Sequence, residues 1–270
     1  MRSMHRRSLR LLASVAVVAA AAAAGGCATK PSPDITGSIV STPEPRTEAE
    51  WRNEMNAWGQ RYRANPRDPE AAIRYAQALR AIGQRGQAAA VLEQATIHNP
   101  HDQAVLGAYG RALADNGTYA QALEVLGRAH TPDRPDWRIL SAQGAVLDQL
   151  GRHPDAQRHY ASALRLNPDE PSVLSNLGLS YALSKDLPQA ETTLRRAAAR
   201  SSSDPKIRHN LALVIGLQGR FAEAEQIVRA DLSPEEAAQN VAILRRMLAE
   251  RKDLKRLTRP GAPLAPSTGT

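Results

Sequence analysis

Small and apolar residues return along this chain with a period of 34. Glycine stands at Gly83, Gly117, Gly151 and Gly219, and Lys185 fills the one gap in that series. Five residues later the period is kept by Ala88, Ala122, Ala156, Ala190 and Ala224, then by Leu92, Leu126, Tyr160, Leu194 and Val228. A further row holds Ala95, Ala129, Ala163 and Ala197, with Asp231 as its one break. A small residue also recurs seven before the glycine slot, at Ala76, Gly110, Gly144, Gly178 and Ala212. Small residues at these spacings let two antiparallel helices cross closely, and a glycine between them lets the first helix end in a left-handed conformation. Asn99-Pro100 and Asn167-Pro168 stop the second helix, because proline cannot continue it.

Each period therefore predicts a helix, a turn and a helix, in five units starting near Pro69, Gln103, Trp137, Pro171 and Pro205. This pattern resembles the tetratricopeptide repeat (TPR), which implies an all-α, right-handed solenoid of about five helix-turn-helix repeats. Such a stack needs capped ends. At the front, Trp51, Met55, Trp58 and Tyr62 form an apolar stripe on a helix expected over 47–64, read as core. At the back, Ser233-Pro234-Glu235-Glu236 reads as a capping box opening a helix over 234–251, with Val241, Leu244 and Leu248 facing the stack. The repeat body is thus placed at 47–251, with an unstructured tail over 252–270.

The first 46 residues have a different character. A basic head, MRSMHRRSLR, precedes an apolar run from Leu11 to Ala24 and then Gly25-Gly26-Cys27. That is the layout of an export signal over 1–26, its apolar run short of the roughly 20 residues a bilayer span needs. Small residues before Cys27 resemble a bacterial lipobox, which implies acylation of that cysteine, although Ala24 stands where the lipobox usually has leucine. The alternative is ordinary cleavage near Ala22 or Ala28. Cys27 is the chain's single cysteine and has no disulfide partner. Ala28 in place of aspartate points to the outer membrane, and 27–46, rich in Pro, Ser and Thr, reads as a disordered tether. The expected address is the periplasm-facing cell envelope, lipid-anchored.

The formal charge of +8 is not a nucleic-acid signal. Four of the 35 basic residues, Arg2, Arg6, Arg7 and Arg10, belong to the leader, and the rest barely exceed the 27 acidic ones. No phosphate-binding glycine loop, zinc-protease motif or cysteine pair is present. His98 and His101 are split by a helix end, and His153 and His159 sit at different turns of the third unit and share no acidic or cysteine partner in register. The chain reads as a non-enzyme, with no catalytic residue, metal, cofactor, nucleic acid or small-molecule substrate.

What remains is protein binding in the concave groove of the stack, lined in this fold by the second, fifth, sixth and ninth residues of each unit. The candidates are Arg74, Gln77, Arg111, Ser175, Asn176, Lys206, His209 and Asn210. Asn176 and Asn210, one period apart, offer amides to an extended backbone. The competing reading is that they only tie their own helices together. Ser141, Ala145 and Asn210 stand where the TPR two-carboxylate clamp has lysine, asparagine and arginine, so an acidic C-terminus is not the expected ligand.

Three stretches carry a closer resemblance: PDWRILSAQGAVLDQLGRH (135–153), EPSVLSNLGLSYALSKDLPQAETTLRRA (170–197) and RHNLALVIGLQGRFAEAEQIVRADLSPEEAAQNVAILRRML (208–248). They are similar to TadD, the TPR lipoprotein of Flp (type IVb, tight-adherence) pilus assembly, and the resemblance covers roughly 51–250. It implies a scaffold whose partners are proteins of the pilus and secretion machinery, such as the secretin. The alternatives are a generic periplasmic TPR adaptor for outer-membrane or cell-wall assembly, or an adaptor subunit of a periplasmic protease.

Overall fold

The computed structural model of the chain describes residues 47–257, with side chains through 250. The leader, Cys27 and the tether lie outside the described residues, as does the tail from 258 onward. The described residues form twelve helices, all within the compact unit Pro31–Thr270. Their one β-type contact is an isolated bridge between Thr131 and Arg134.

Five first helices of 13 residues each carry the period: α2 (Pro69–Ala81), α4 (Gln103–Asp115), α6 (Trp137–Gln149), α8 (Pro171–Leu183) and α10 (Pro205–Leu217). Four of them begin behind an aspartate, Asp68, Asp102, Asp136 and Asp204, whose carboxylate accepts from backbone N–H groups of the first turn. Before α8 the residue is Glu170, one methylene longer, and it makes no such cap. Its carboxylate instead accepts from Asn167 Nδ2 (3.0 Å) and Ser172 Oγ (2.9 Å).

The turn after each first helix is the same closure five times over. The residue in the glycine slot has positive φ, and the N–H that follows returns five residues to the carbonyls of Leu79, Leu113, Leu147, Tyr181 and Ile215. Lys185 adopts φ +70° in this turn, where the other four repeats have glycine.

The second helices are α3 (Arg85–His98), α5 (Tyr119–Arg128), α7 (His153–Leu166), α9 (Leu187–Arg200) and α11 (Phe221–Val228). They cross their partners at the small residue: a Cβ added at Gly110, Gly144 or Gly178 would stand 2.5 Å from Leu126 Cγ, 2.6 Å from Tyr160 Cε1 and 2.6 Å from Leu194 Cγ. Two second helices depart from the 14 residues of α3, α7 and α9. α5 has 10, because Pro132 and Pro135 turn the chain away, and α11 has 8, because α12 starts early at Pro234.

At the ends, α1 (Glu48–Ala64) opens with a Thr47/Glu50 capping box, and α12 (Pro234–Leu257) with Ser233 and Glu236 bonding each other's backbone N–H. α12 runs to Leu257 and not to 251, since nothing between 251 and 257 breaks a helix and the first proline beyond is Pro260. The aromatic stripe of α1 is not uniformly core. All four are half-buried, but Met55 and Tyr62 pack against buried core residues, with Tyr62 stacked on Tyr75 at 5.8 Å.

Candidate functional site

The first helices of neighbouring repeats touch along the face that carries most of the candidate residues, and a ladder of side chains joins them. Asn210 Nδ2 on α10 donates to Ser175 Oγ on α8 at 3.0 Å, and Asn176 Nδ2 on α8 reaches Ser141 Oγ on α6 at 3.5 Å. Each rung runs from the sixth residue of one repeat to the fifth of the repeat before. Both serines are buried (6–7% exposed) and both asparagines are half-buried. The amides thus tie the first helices of neighbouring repeats to each other. Each rung uses one of the two N–H groups of Nδ2, and the second N–H and Oδ1 take no part in it.

The other candidates separate. Arg74 and Gln77 line a shallow depression of about 350 Å³ between α2 and the start of α4, together with Glu70, Ile73 and Ala104. Arg74 lies 3.9 Å from Glu70, a weak exposed pair. Arg111 is half-buried on α4, its guanidinium beside Gly107. Lys206 is exposed in the first turn of α10. His209 turns toward Asp231, with Nε2 at 3.5 Å from the carboxylate. Ser141, Ala142 and Ala145 make the middle of the face smooth and buried.

A second polar cluster lies within repeats 3 and 4. The Asp148 carboxylate takes His153 Nδ1 (2.8 Å) and Ser180 Oγ (2.8 Å) on one oxygen and the Tyr160 hydroxyl (3.1 Å) on the other. His153 thus finds its acidic partner across the turn and does not share it with His159, whose Nδ1 meets the Asp155 carbonyl at 3.0 Å. Burial pushes the Asp148 carboxyl up, opposed by bonds from His153, Ser180 and Tyr160, and burial holds the Tyr160 phenol well above its ordinary value. Ser180 is 0% and Tyr160 2% exposed, so neither can meet a substrate, and the cluster binds α6, α7 and α8 together. Among the described residues no group of three or more His, Cys, Asp or Glu side chains is placed to hold a metal. Nor is any described helix long and apolar enough to cross a membrane.

Three family profiles described as tetratricopeptide repeat match residues 81–144, 141–205 and 205–230, together more than half of the 270 residues. The chain belongs to the tetratricopeptide-repeat family. No curated protein sequence matches this TPR chain. Among solved structures it is similar to PilW, described as a widely conserved type IV pilus biogenesis factor, with a TM-score of 0.63 at 16% identity over 72% of this chain and 91% of that one. It is also similar to TTC0263, a thermophilic TPR protein of Thermus thermophilus, with a TM-score of 0.56 at 26% identity over 68% and 98%. A chain of the APC/C hetero-tetramer Cut9-Hcn1 matches with a TM-score of 0.58 at 18% identity; the match takes 72% of this TPR chain but spans only 40% of that one.

Proposed function

We propose that this chain is a non-catalytic TPR scaffold of the bacterial cell envelope, lipid-anchored through Cys27, that binds proteins of the Flp (tight-adherence) pilus machinery. The observation that carries the binding role is the laddered inner face. Asn176 and Asn210 are held by their serine rungs, and the second N–H and the oxygen of each amide remain outside the rung to bond the backbone of an extended partner segment. A groove whose polar atoms are already positioned loses less entropy on binding. The pilus assignment is supported by the three TadD-like stretches and by the likeness in fold to PilW, whose own description is type IV pilus biogenesis.

Deleting the gene is expected to abolish surface pili while leaving bulk outer-membrane proteins intact. Complementation with Asn176→Ala/Asn210→Ala, confirmed helical by circular dichroism, is expected not to restore them. Intact pili together with a general outer-membrane assembly defect would instead favour the generic adaptor. The anchor is tested by labelling cells with a radioactive fatty acid: Cys27→Ser should carry no label, and equal label in variant and wild type would end the lipoprotein reading.

A further inference from the structure

The end of α1 at Asn65-Pro66 stands one period before Asn99-Pro100 at the end of α3, so α1 has the register of a second helix. Among the described residues no first helix precedes it. In every full repeat the knob of the second helix is buried: Leu92, Leu126, Tyr160, Leu194 and Val228 are at most 7% exposed. In α1 the knob slot holds Trp58, and the slots of the buried Ala88 and Ala95 rows hold Glu54 and Arg61.

α1 meets α2 through a different face. A Cβ on Gly59 would stand 3.0 Å from Tyr75, and Tyr62 stacks on the same ring. At 100° per residue, Glu54, Trp58 and Arg61 fall on the neighbouring flank. They are organised as one patch: Trp58 Nε1 donates to Glu54 at 2.9 Å, and the Arg61 guanidinium lies 4.6 Å from the centre of the Trp58 ring. Trp58 is half-buried, and Arg61 is exposed.

We propose that this flank is the two-fold interface of a homodimer, with α1 packed antiparallel on α1 of a second copy. The patch is self-complementary. An antiparallel pairing centred between Ala57 and Trp58 sets Glu54 of each copy opposite Arg61 of the other, so both ion pairs form at once, as an isologous contact requires. The two Trp58 rings then lie side by side at the centre, and tryptophan and arginine are among the residues enriched at interface hot spots. Within one α1, Glu54 and Arg61 are two turns apart, about 10 Å along the axis, so they complement a second helix better than each other.

The test is sedimentation equilibrium of the purified full chain over a concentration series. The wild type is expected to dimerise, and Arg61→Glu or Glu54→Arg alone to weaken the dimer by about tenfold or more. The exchanged pair Glu54→Arg/Arg61→Glu should recover it, which a mere folding defect would not do. A wild type that stays monomeric throughout overturns the proposal, as does a dimer indifferent to Arg61→Glu, or an exchanged variant no better than the single ones.

Discussion

Arg208 and Asp231 break the repeat pattern at two separate places, and each is the other's partner. Arg208 sits where the earlier repeats have Ala72, Leu106, Leu140 and Leu174, and Asp231 where they have Ala95, Ala129, Ala163 and Ala197. The guanidinium spans both carboxylate oxygens, with Nε at 2.8 Å from Oδ2 and Nη2 on Oδ1. This joins α10 to the turn between α11 and α12. The hydrogen bond from Arg208 is the main reason the Asp231 carboxyl titrates below its ordinary range. Removing one partner leaves a charge in a site only 12–19% exposed, whereas removing both returns the site to the apolar pattern of the other repeats. Asp231→Ala and Arg208→Leu should each lower Tm by a few degrees, and the double variant should recover most of that loss. Thermal melts of all four proteins provide the check; additive losses would mean that the two breaks are not coupled.

The crossing glycines and the exposed glycine of α5 make opposite predictions for one substitution. At Gly144 the new methyl would stand 2.6 to 2.9 Å from three atoms of the Tyr160 ring, which is buried and held by Asp148, so the helices must part. Gly144→Ala should cost about 2 kcal/mol. At Gly127 a Cβ meets nothing within 4 Å, and Gly127→Ala should gain about 1 kcal/mol from helix propensity. Chemical denaturation gives both values, and a stabilised Gly144→Ala would contradict the close-crossing account.

Lys185 occupies a left-handed turn position at φ +70°, where its Cβ crowds the following carbonyl. The four other turns use glycine at φ +73° to +88°. Lys185→Gly should therefore stabilise the chain by about 0.5 to 1 kcal/mol, the relief of strain outweighing the added freedom of glycine in the unfolded chain. Denaturant melts with an unchanged m-value would show that only this turn has responded. A destabilised variant would mean that Lys185 makes a compensating contact.

The period, the turns and the crossings are legible in the sequence because each is a local demand: positive φ asks for glycine, and a close crossing asks for a small side chain. What escapes a reading along the helices is what acts across them. The Asn210–Ser175 rung joins residues 35 apart, a spacing visible only when a serine in the fifth slot of one repeat is set beside an asparagine in the sixth slot of the next. Along its own helix His153 has no acidic partner in register, because Asp148, five residues back, lies on the far side of a turn. The shortening of α5 is hidden because Ala129 keeps the 34-residue row although the helix ends at Arg128. Pro132 and Pro135 are the signal for it.

Glu191 gives a prediction in pH. Burial works against its ionisation, but hydrogen bonds from Gln218 (2.8 Å), Arg195 (2.7 Å) and Arg220 (2.7 Å) outweigh it and bring the carboxyl from the ordinary 4.5 to about 2. These bonds fasten α9 to the turn between α10 and α11. A carboxyl lowered in the folded state contributes stability that is complete above its unfolded value and is lost as pH falls through its folded one. The contribution of Glu191 is therefore full at pH 7 and fades between about 4.5 and about 2. Arg195 and Arg220 are 47% and 42% exposed, so solvent and salt reduce it. Glu191→Gln should melt a few degrees below wild type at pH 7 in low salt, with the gap closing as the buffer is taken down to pH 2. A gap of constant size across that range would place the stabilisation in the shape of the side chain and not in its charge.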